Sequence, residues 1–136
     1  MKRLISTLLV AGAFALTACS PTMYSSSSSK SKLEGKGYTV EVYSFEEAKA
    51  RITGLNYEGF DFTDALVADK GADDERDVLL AFYFKNVDDA SKFIEENIGQ
   101  MNRYAENTLG SNLTVRVGSH NNVAYTGSET SFANGF

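Results

Sequence analysis

The stretch VLLAFYF, residues 78–84, is the most apolar run in the chain after its first twenty residues. Seven apolar residues in a row are typical of a strand that is covered on both faces, or on one face with a partner on the other. A polar turn at residues 69–77 precedes the run. A helix with acidic residues at its positive end, opening at Asn86-Val87-Asp88-Asp89, follows it. The run therefore predicts the central strand of a sheet.

The segments around this run predict the order β-α-β-β-α-β. Residues 38–43 alternate as in a strand, with Tyr38, Val40 and Val42 on one face. The other predicted elements are a helix from the capping box at 44–47 to Gly54, a strand at 60–68, a helix from Asn86 to near Gly110, a strand at 113–117, a turn at 118–122, a short strand at 123–125 and a helical turn opening at 126–129. This pattern predicts an α+β domain at 37–136, an antiparallel sheet with two helices on one face in a ferredoxin-like order.

The first eighteen residues have the layout of a secretory signal peptide. Met1-Lys2-Arg3 is a positive start, and Leu4 to Ala18 runs fifteen residues without a charge. Such a run is too short to cross the hydrocarbon core comfortably as a permanent helix. We therefore predict a cleaved leader at residues 1–18.

The leader ends in Leu16-Thr17-Ala18-Cys19, which resembles the lipobox of bacterial lipoproteins. The resemblance implies cleavage before Cys19 and a diacylglyceryl group on its thiol, which would hold the protein to the cell membrane. Ser20, rather than Asp, resembles the pattern sent to the outer membrane where a bacterium has two membranes. The alternative is an ordinary signal peptide with a chance cysteine. Cys19 is the only cysteine, so no intrachain disulfide can form.

Residues 19–36 are polar and rich in serine, with few apolar side chains. Segments of this composition bury too little surface to offset the entropy lost on ordering. The sequence therefore predicts a lipidated, flexible tether at 19–36.

The chain is acidic once the leader is removed. Without Lys2 and Arg3 it has 11 basic and 18 acidic residues, a formal charge of -7. This charge disfavours nucleic acid as a partner and disfavours electrostatic docking to anionic lipid. It favours a role in solubility over recognition of a cationic partner.

Residues typical of a catalytic site are not found in the sequence. His120, the only histidine, lies in a predicted turn and is interpreted as a solvated residue. There is no G-x-S-x-G elbow and no glycine-rich phosphate loop. The sequence predicts neither an enzyme nor a cofactor.

The acidic turn is the first candidate ligand site. Five carboxylates could supply oxygen ligands to a hard cation such as calcium: Asp69, Asp73, Asp74, Glu75 and Asp77. The spacing does not fit an EF-hand loop, and Lys70 and Arg76 would compete for the same groups. A solvated hairpin is the favoured alternative.

The second candidate is a contact surface of tyrosines. Tyr43, Tyr83 and Tyr125 are predicted on the strand face opposite the main core, where aromatic rings could bind a partner. The alternatives are ordinary packing and a dimer formed sheet to sheet.

The domain also resembles a loose group of small lipoproteins from Gram-positive gut bacteria. The similarity lies in Gly37-Tyr38-Thr39-Val40, in Phe82-Tyr83-Phe84 before a helix containing Ala90, and in residues 123–129. It implies an envelope location, and no catalytic residues carry over from it. We therefore expect a membrane-anchored, non-enzymatic binding module for an envelope protein or a small ligand. The alternatives are a self-associating structural protein of the envelope and a hydrolase that uses carboxylates alone.

Overall fold

The computed structural model describes residues 22–136. Its elements are α1 (Ser26–Gly35), β1 (Thr39–Ser44), α2 (Phe45–Arg51), β2 (Asp64–Lys70), a 3-10 turn (Asp73–Glu75), β3 (Asp77–Tyr83), α3 (Val87–Thr108), β4 (Val115–His120), β5 (Val123–Ser128) and α4 (Glu129–Gly135). The predicted signal peptide and the predicted lipidation site, Cys19, lie outside the described residues.

The apolar run forms the centre of the sheet, as predicted. The five strands are ordered β1-β2-β3-β5-β4, and every neighbouring pair is antiparallel. Every residue of β3 is buried. Because side chains alternate across a strand, Leu80 and Phe82 enter one core, and Leu79, Ala81 and Tyr83 enter another on the opposite face.

The α+β class is confirmed. Along the chain, β1 to β4 with α2 and α3 follow the predicted β-α-β-β-α-β order, and β5 lies between β3 and β4 in the sheet. The predicted capping box opens α2, where Ser44 accepts from the Glu47 amide and Glu47 accepts from the Ser44 amide. Asn86 caps α3 by accepting from the Asp89 amide at 2.8 Å.

The face covered by α2 and α3 holds an aromatic core. Phe93 of α3 is fully buried, with its ring centroid 5.0 Å from Phe82, 5.1 Å from Phe60 and 5.4 Å from Phe84. Phe62 lies 5.1 Å from Phe82. The packed rings fix α3 on the sheet and so set one wall of the cleft described below.

The opposite face is covered too, which corrects two predictions. Residues 26–36 are not a flexible tether, because Ser26–Gly35 is a helix that packs on β1 and β2. Its buried residues Ser26, Ser29 and Leu33 share one face. Two small serines let the helix approach the sheet closely around a single apolar residue. The folded domain therefore begins before residue 37, and the sheet has helices on both faces.

A buried carboxylate fastens α4 to this face. Asp77, at the start of β3, is 6% exposed and accepts hydrogen bonds from the Tyr38 and Ser128 hydroxyls, both at 2.5 Å. Ser128 also caps α4 by accepting from the Ser131 amide, and the Ser131 hydroxyl donates to the Val78 carbonyl at 2.8 Å. The hydrogen bonds hold the end of the chain against the central strand.

Strand bounds differ from the predictions where pairing extends past the apolar pattern. β2 begins at Asp64 rather than residue 60, and it continues to Lys70, opposite Asp77 of β3. β4 covers Val115–His120 rather than 113–117, so the predicted turn at 118–122 shrinks to Asn121 and Asn122. Polar residues therefore occupy strand positions that the hydropathy pattern alone does not predict.

Within residues 22–136, the structure has no helix long and apolar enough to cross a membrane.

Buried tyrosines predict a loss of stability at alkaline pH. Burial and the hydrogen bond to Asp77 raise the pKa of Tyr38 to about 12, and burial raises the pKa of Tyr57 to about 12. Burial also raises the pKa of Tyr83. An unfolded chain releases these protons near pH 10, so the folded state loses stability from about pH 10 to pH 12 and is unaffected by them below that range.

Urea unfolding at several pH values, with tyrosinate absorbance recorded in parallel, measures this effect. The urea midpoint should hold steady up to about pH 9 and fall steadily above pH 10. The urea midpoint of Tyr57→Phe should fall less steeply with pH, because that variant has one titrating ring fewer. An unchanged midpoint at pH 11 would show that these rings titrate alike in both states.

Candidate binding cleft

A cleft lies on the α2/α3 side of the sheet, where α2 is too short to cover β1 and β2 completely. α2 has seven residues and α3 has 22. Two adjoining depressions of about 290 and 350 Å³ share Ile52, Thr53 and Tyr104 in their linings. Leu80 of β3 lines one depression, and Val67 of β2 lines the other. The cleft is therefore an open groove with apolar residues from two strands in its lining.

One wall is a polar stripe along the second half of α3. Gln100, Arg103, Tyr104 and Asn107 all line the same depression. Their spacing of three, four and seven residues places them on one side of a helix. The apolar residues that hold α3 on the sheet lie on the neighbouring side. This wall therefore presents one cation, one aromatic ring and two amides.

The other wall comes from the end of β1, the last residue of α2 and the residues that follow it. Tyr43 and Arg51 line it, and the Arg51 guanidinium lies 5.1 Å from the centroid of the Tyr43 ring. The Tyr43 hydroxyl donates to Glu41, which raises the pKa of Tyr43. This wall adds a second cation beside a second aromatic ring.

The two arginines give the cleft its chemical character. Among the described residues, neither Arg51 nor Arg103 forms an ion pair. Arg76 close by is different, since it makes two hydrogen bonds to Asp69, at 3.1 and 2.7 Å. Guanidinium groups bind carboxylates and phosphates through paired hydrogen bonds. Arg51 lines one depression and Arg103 lines the other, so each depression can bind an anion beside the apolar residues of the cleft.

The structure does not gather the acidic turn into a cation site. Asp69 is paired with Arg76, and Asp77 is buried against Tyr38 and Ser128. Asp74 and Glu75 accept hydrogen bonds from Ser111 and Asn112 at 2.9 and 2.7 Å, and Asp73 lies exposed in the 3-10 turn. In the described part of the chain, no three His, Cys, Asp or Glu side chains are grouped as a metal site. Four of the five carboxylates therefore each bind a different local group instead of converging on one point.

The predicted tyrosine surface is wrong for two of its three members. Tyr83 and Tyr125 are 2% and 3% exposed, under α1 and α4. Tyr43 lies on the opposite face of the sheet and lines the cleft. The prediction assumed that one face was open, but both helices that cover it were missed or shortened. The same cover removes the open face that a sheet-to-sheet dimer on that side would need.

His120 is not a solvated turn residue. It ends β4, half-buried, with its ring centroid 4.9 Å from Tyr24 and 5.2 Å from Phe132. One ring nitrogen lies 3.0 Å from the Tyr24 hydroxyl. Burial and then the nearby Arg116 charge lower the pKa of His120, so the neutral ring is favoured. His120 is a packing residue that helps to hold the segment before α1.

Arg51, Arg103, Gln100 and Asn107 were missed as cleft residues. A signal for three of them exists in the sequence, because polar residues at 100, 103 and 107 recur at helical spacing beside the apolar stripe. Arg51 carries no such signal, since its place in the cleft depends on where α2 ends. No family model, curated protein or solved structure was found to match this chain.

Proposed function

We propose that this protein is a lipid-anchored, non-enzymatic binding module of the cell envelope and that the cleft between α2 and α3 is its binding site. The leader and its Leu16-Thr17-Ala18-Cys19 ending support export and anchoring through lipid on Cys19. One diacylglyceryl group carries two acyl chains, which suffice for stable attachment. In a bacterium with two membranes, Ser20 favours the outer one.

One observation carries the binding role. The cleft has two arginines without ion-pair partners in the described structure, in a chain whose overall charge is negative. An unpaired guanidinium in each depression and two tyrosine rings match a ligand that has carboxylates flanking an aromatic group. We therefore assign the cleft to acidic peptide segments, whose backbone could also bond to Gln100 and Asn107.

A titration of the ¹⁵N-labelled mature chain, with Cys19→Ser for solubility, tests this assignment. The probe is the acetylated and amidated tripeptide Glu-Phe-Glu, and Lys-Phe-Lys serves as its charge-reversed control. We expect shifts of backbone amides around Thr53, Val67 and Tyr104 with the acidic peptide. The basic peptide should leave those signals in place.

A double variant distinguishes binding at the cleft from a general effect of the protein's net charge on affinity. Arg51→Gln with Arg103→Gln should weaken binding of the acidic peptide by at least about tenfold, since each charge-assisted hydrogen bond contributes about 1.5–3 kcal/mol. Lys30→Gln with Lys85→Gln removes the same charge away from the cleft and should change affinity little. Equal binding by both double variants, or no shifts at millimolar peptide, would contradict the proposal.

A further inference from the structure

The segment that follows the lipidation site is fastened to the folded domain. The Tyr24 amide donates to the Asn122 side chain at 2.7 Å, and the same side chain donates back to the Tyr24 carbonyl at 3.0 Å. Asn122 is buried and also donates to the Phe84 carbonyl at 2.9 Å. A single side chain thus binds both backbone groups of Tyr24 and ties them to the sheet.

We call the hydrogen bonds between Asn122 and Tyr24 the clamp. Further contacts extend it to the residues before and after Tyr24 in the chain. Asn121 donates to the Thr22 carbonyl at 2.8 Å, so the attachment reaches the first described residue. The Tyr24 ring packs against His120, and Ser26 donates to Asp64 at 2.6 Å. α1 then continues to Leu33, which is fully buried. The chain is held from Thr22 onward.

The distance between the lipid and the domain is therefore short. Three residue steps separate Cys19 from Thr22, and an extended chain spans at most about 3.6 Å per step, or about 11 Å in all. A tether up to residue 36 would have reached about 60 Å by the same measure.

The clamp also determines which end of the domain lies nearest the lipid. Thr22 and Asn121 lie at the end of the sheet where β3 finishes and the β4–β5 turn occurs. Met23, which is 47% exposed, lines a shallow depression with Lys85 and Val87 at the same end. Ser111 bonds to Asp74 at the opposite end, beyond the β2–β3 connection. Strands of six or seven residues separate the two ends by about 20 Å.

We propose that the lipid on Cys19 seats this domain directly on the membrane, with the end that contains Thr22, Met23, Lys85 and Asn121 against the lipid surface. The inference rests on the proposed anchoring. The second half of α3, with Arg103 and Asn107, runs towards the far end, so this wall of the cleft lies farther from the bilayer than Lys85 does, and the cleft opens to the side, on the α2/α3 face. The tether imposes this position, because it spans at most about 11 Å between Cys19 and Thr22. Because Asp88 and Asp89 also lie near the membrane end, the domain without its lipid has no charge attraction to anionic vesicles.

The position can be measured on the lipidated mature protein in phosphatidylcholine vesicles that contain a nitroxide-headgroup lipid. Cys19 is the only native cysteine, so Lys85→Cys or Ser111→Cys gives one site for a fluorophore. We expect quenching at residue 85 to exceed quenching at residue 111 severalfold. Twenty Gly and Ser residues inserted between Pro21 and Thr22 should remove most of the difference, since such a linker spans about 25 Å.

Two readouts keep this inference separate from the anchoring itself. The intact mass and vesicle flotation of each labelled protein report whether lipid is attached. A lipidated, floating protein with equal quenching at both positions overturns the orientation and leaves the anchoring standing. A protein without lipid overturns both. Binding of the Cys19→Ser protein to the same vesicles would contradict the inference that the length of the tether, rather than a lipid affinity of the domain, sets its position.

Discussion

Phe93→Ala is expected to lower the free energy of unfolding by about 3–5 kcal/mol. The Phe93 side chain is fully buried and lies within 6.3 Å, centroid to centroid, of five aromatic rings on the α2/α3 face of the sheet. The substitution removes the ring and leaves a cavity that close-packed neighbours refill only in part. Natural domains have about 5–15 kcal/mol of stability, so the loss is a large fraction of the total.

Urea unfolding followed by circular dichroism measures the loss. Ile98→Ala is the matched control, because Ile98 lies on the same helix and is 49% exposed, so it should cost little. The loss of stability in Phe93→Leu should lie between the losses in these two variants. If Phe93→Ala and Ile98→Ala lost the same stability, the aromatic cluster would not be the main core on that face.

Asp77→Ala should cost about 2–4 kcal/mol. Hydrogen bonds to charged groups contribute about 1.5–3 kcal/mol each, and Asp77 accepts two, from Tyr38 and Ser128. Part of that loss is offset, because a carboxylate no longer has to be buried. The variant leaves two buried hydroxyl protons without their acceptor and loosens α4 at its N-cap, Ser128.

Two substitutions identify the cause of that effect. Asp77→Asn keeps the shape and one accepting oxygen, so it should lose less than Asp77→Ala. Asp61→Ala removes an exposed carboxylate and should stay within about 0.5 kcal/mol of the parent chain. Amide exchange should show Ser131 and its neighbours opening first in Asp77→Ala. Unchanged stability in that variant would mean that the Tyr38–Asp77–Ser128 contacts do not hold α4.

Local patterns predicted the elements whose own residues specify them. Residues 78–84 are apolar on both faces and became β3, buried along its whole length. Ser44 and Glu47 specified the start of α2, and Asn86 specified the start of α3. Each signal lies within a few residues of the feature that it predicts. A single sequence is enough to recognise such features.

The missed features depend on contacts between distant parts of the chain. α1 was interpreted as a tether because its sequence is polar and contains a single leucine. Its fit on the sheet depends on small serines that face the strands, and composition does not reveal this. That error made the α1/α4 face appear open and led to the wrong placement of Tyr83 and Tyr125 at a contact surface. The cleft depends on the gap between the end of α2 and the second half of α3, which no local pattern records.

The corrected start of the domain changes what anchoring would mean for function. A long tether would let the cleft sample any orientation, whereas a clamp at Thr22 and Tyr24 holds the domain within about 11 Å of Cys19, the proposed lipidation site. The cleft then opens to the side, on the α2/α3 face, at a restricted height above the bilayer.

The most direct test of lipid anchoring is the intact mass of the protein extracted from the membrane fraction of bacteria that express the full chain. We predict a chain that begins at Cys19 and carries a diacylglyceryl group on that residue. A Cys19→Ala chain should keep residues 1–18 and take up no labelled fatty acid. A native chain with an unmodified Cys19 thiol, or normal processing of the Cys19→Ala chain, would contradict the anchoring.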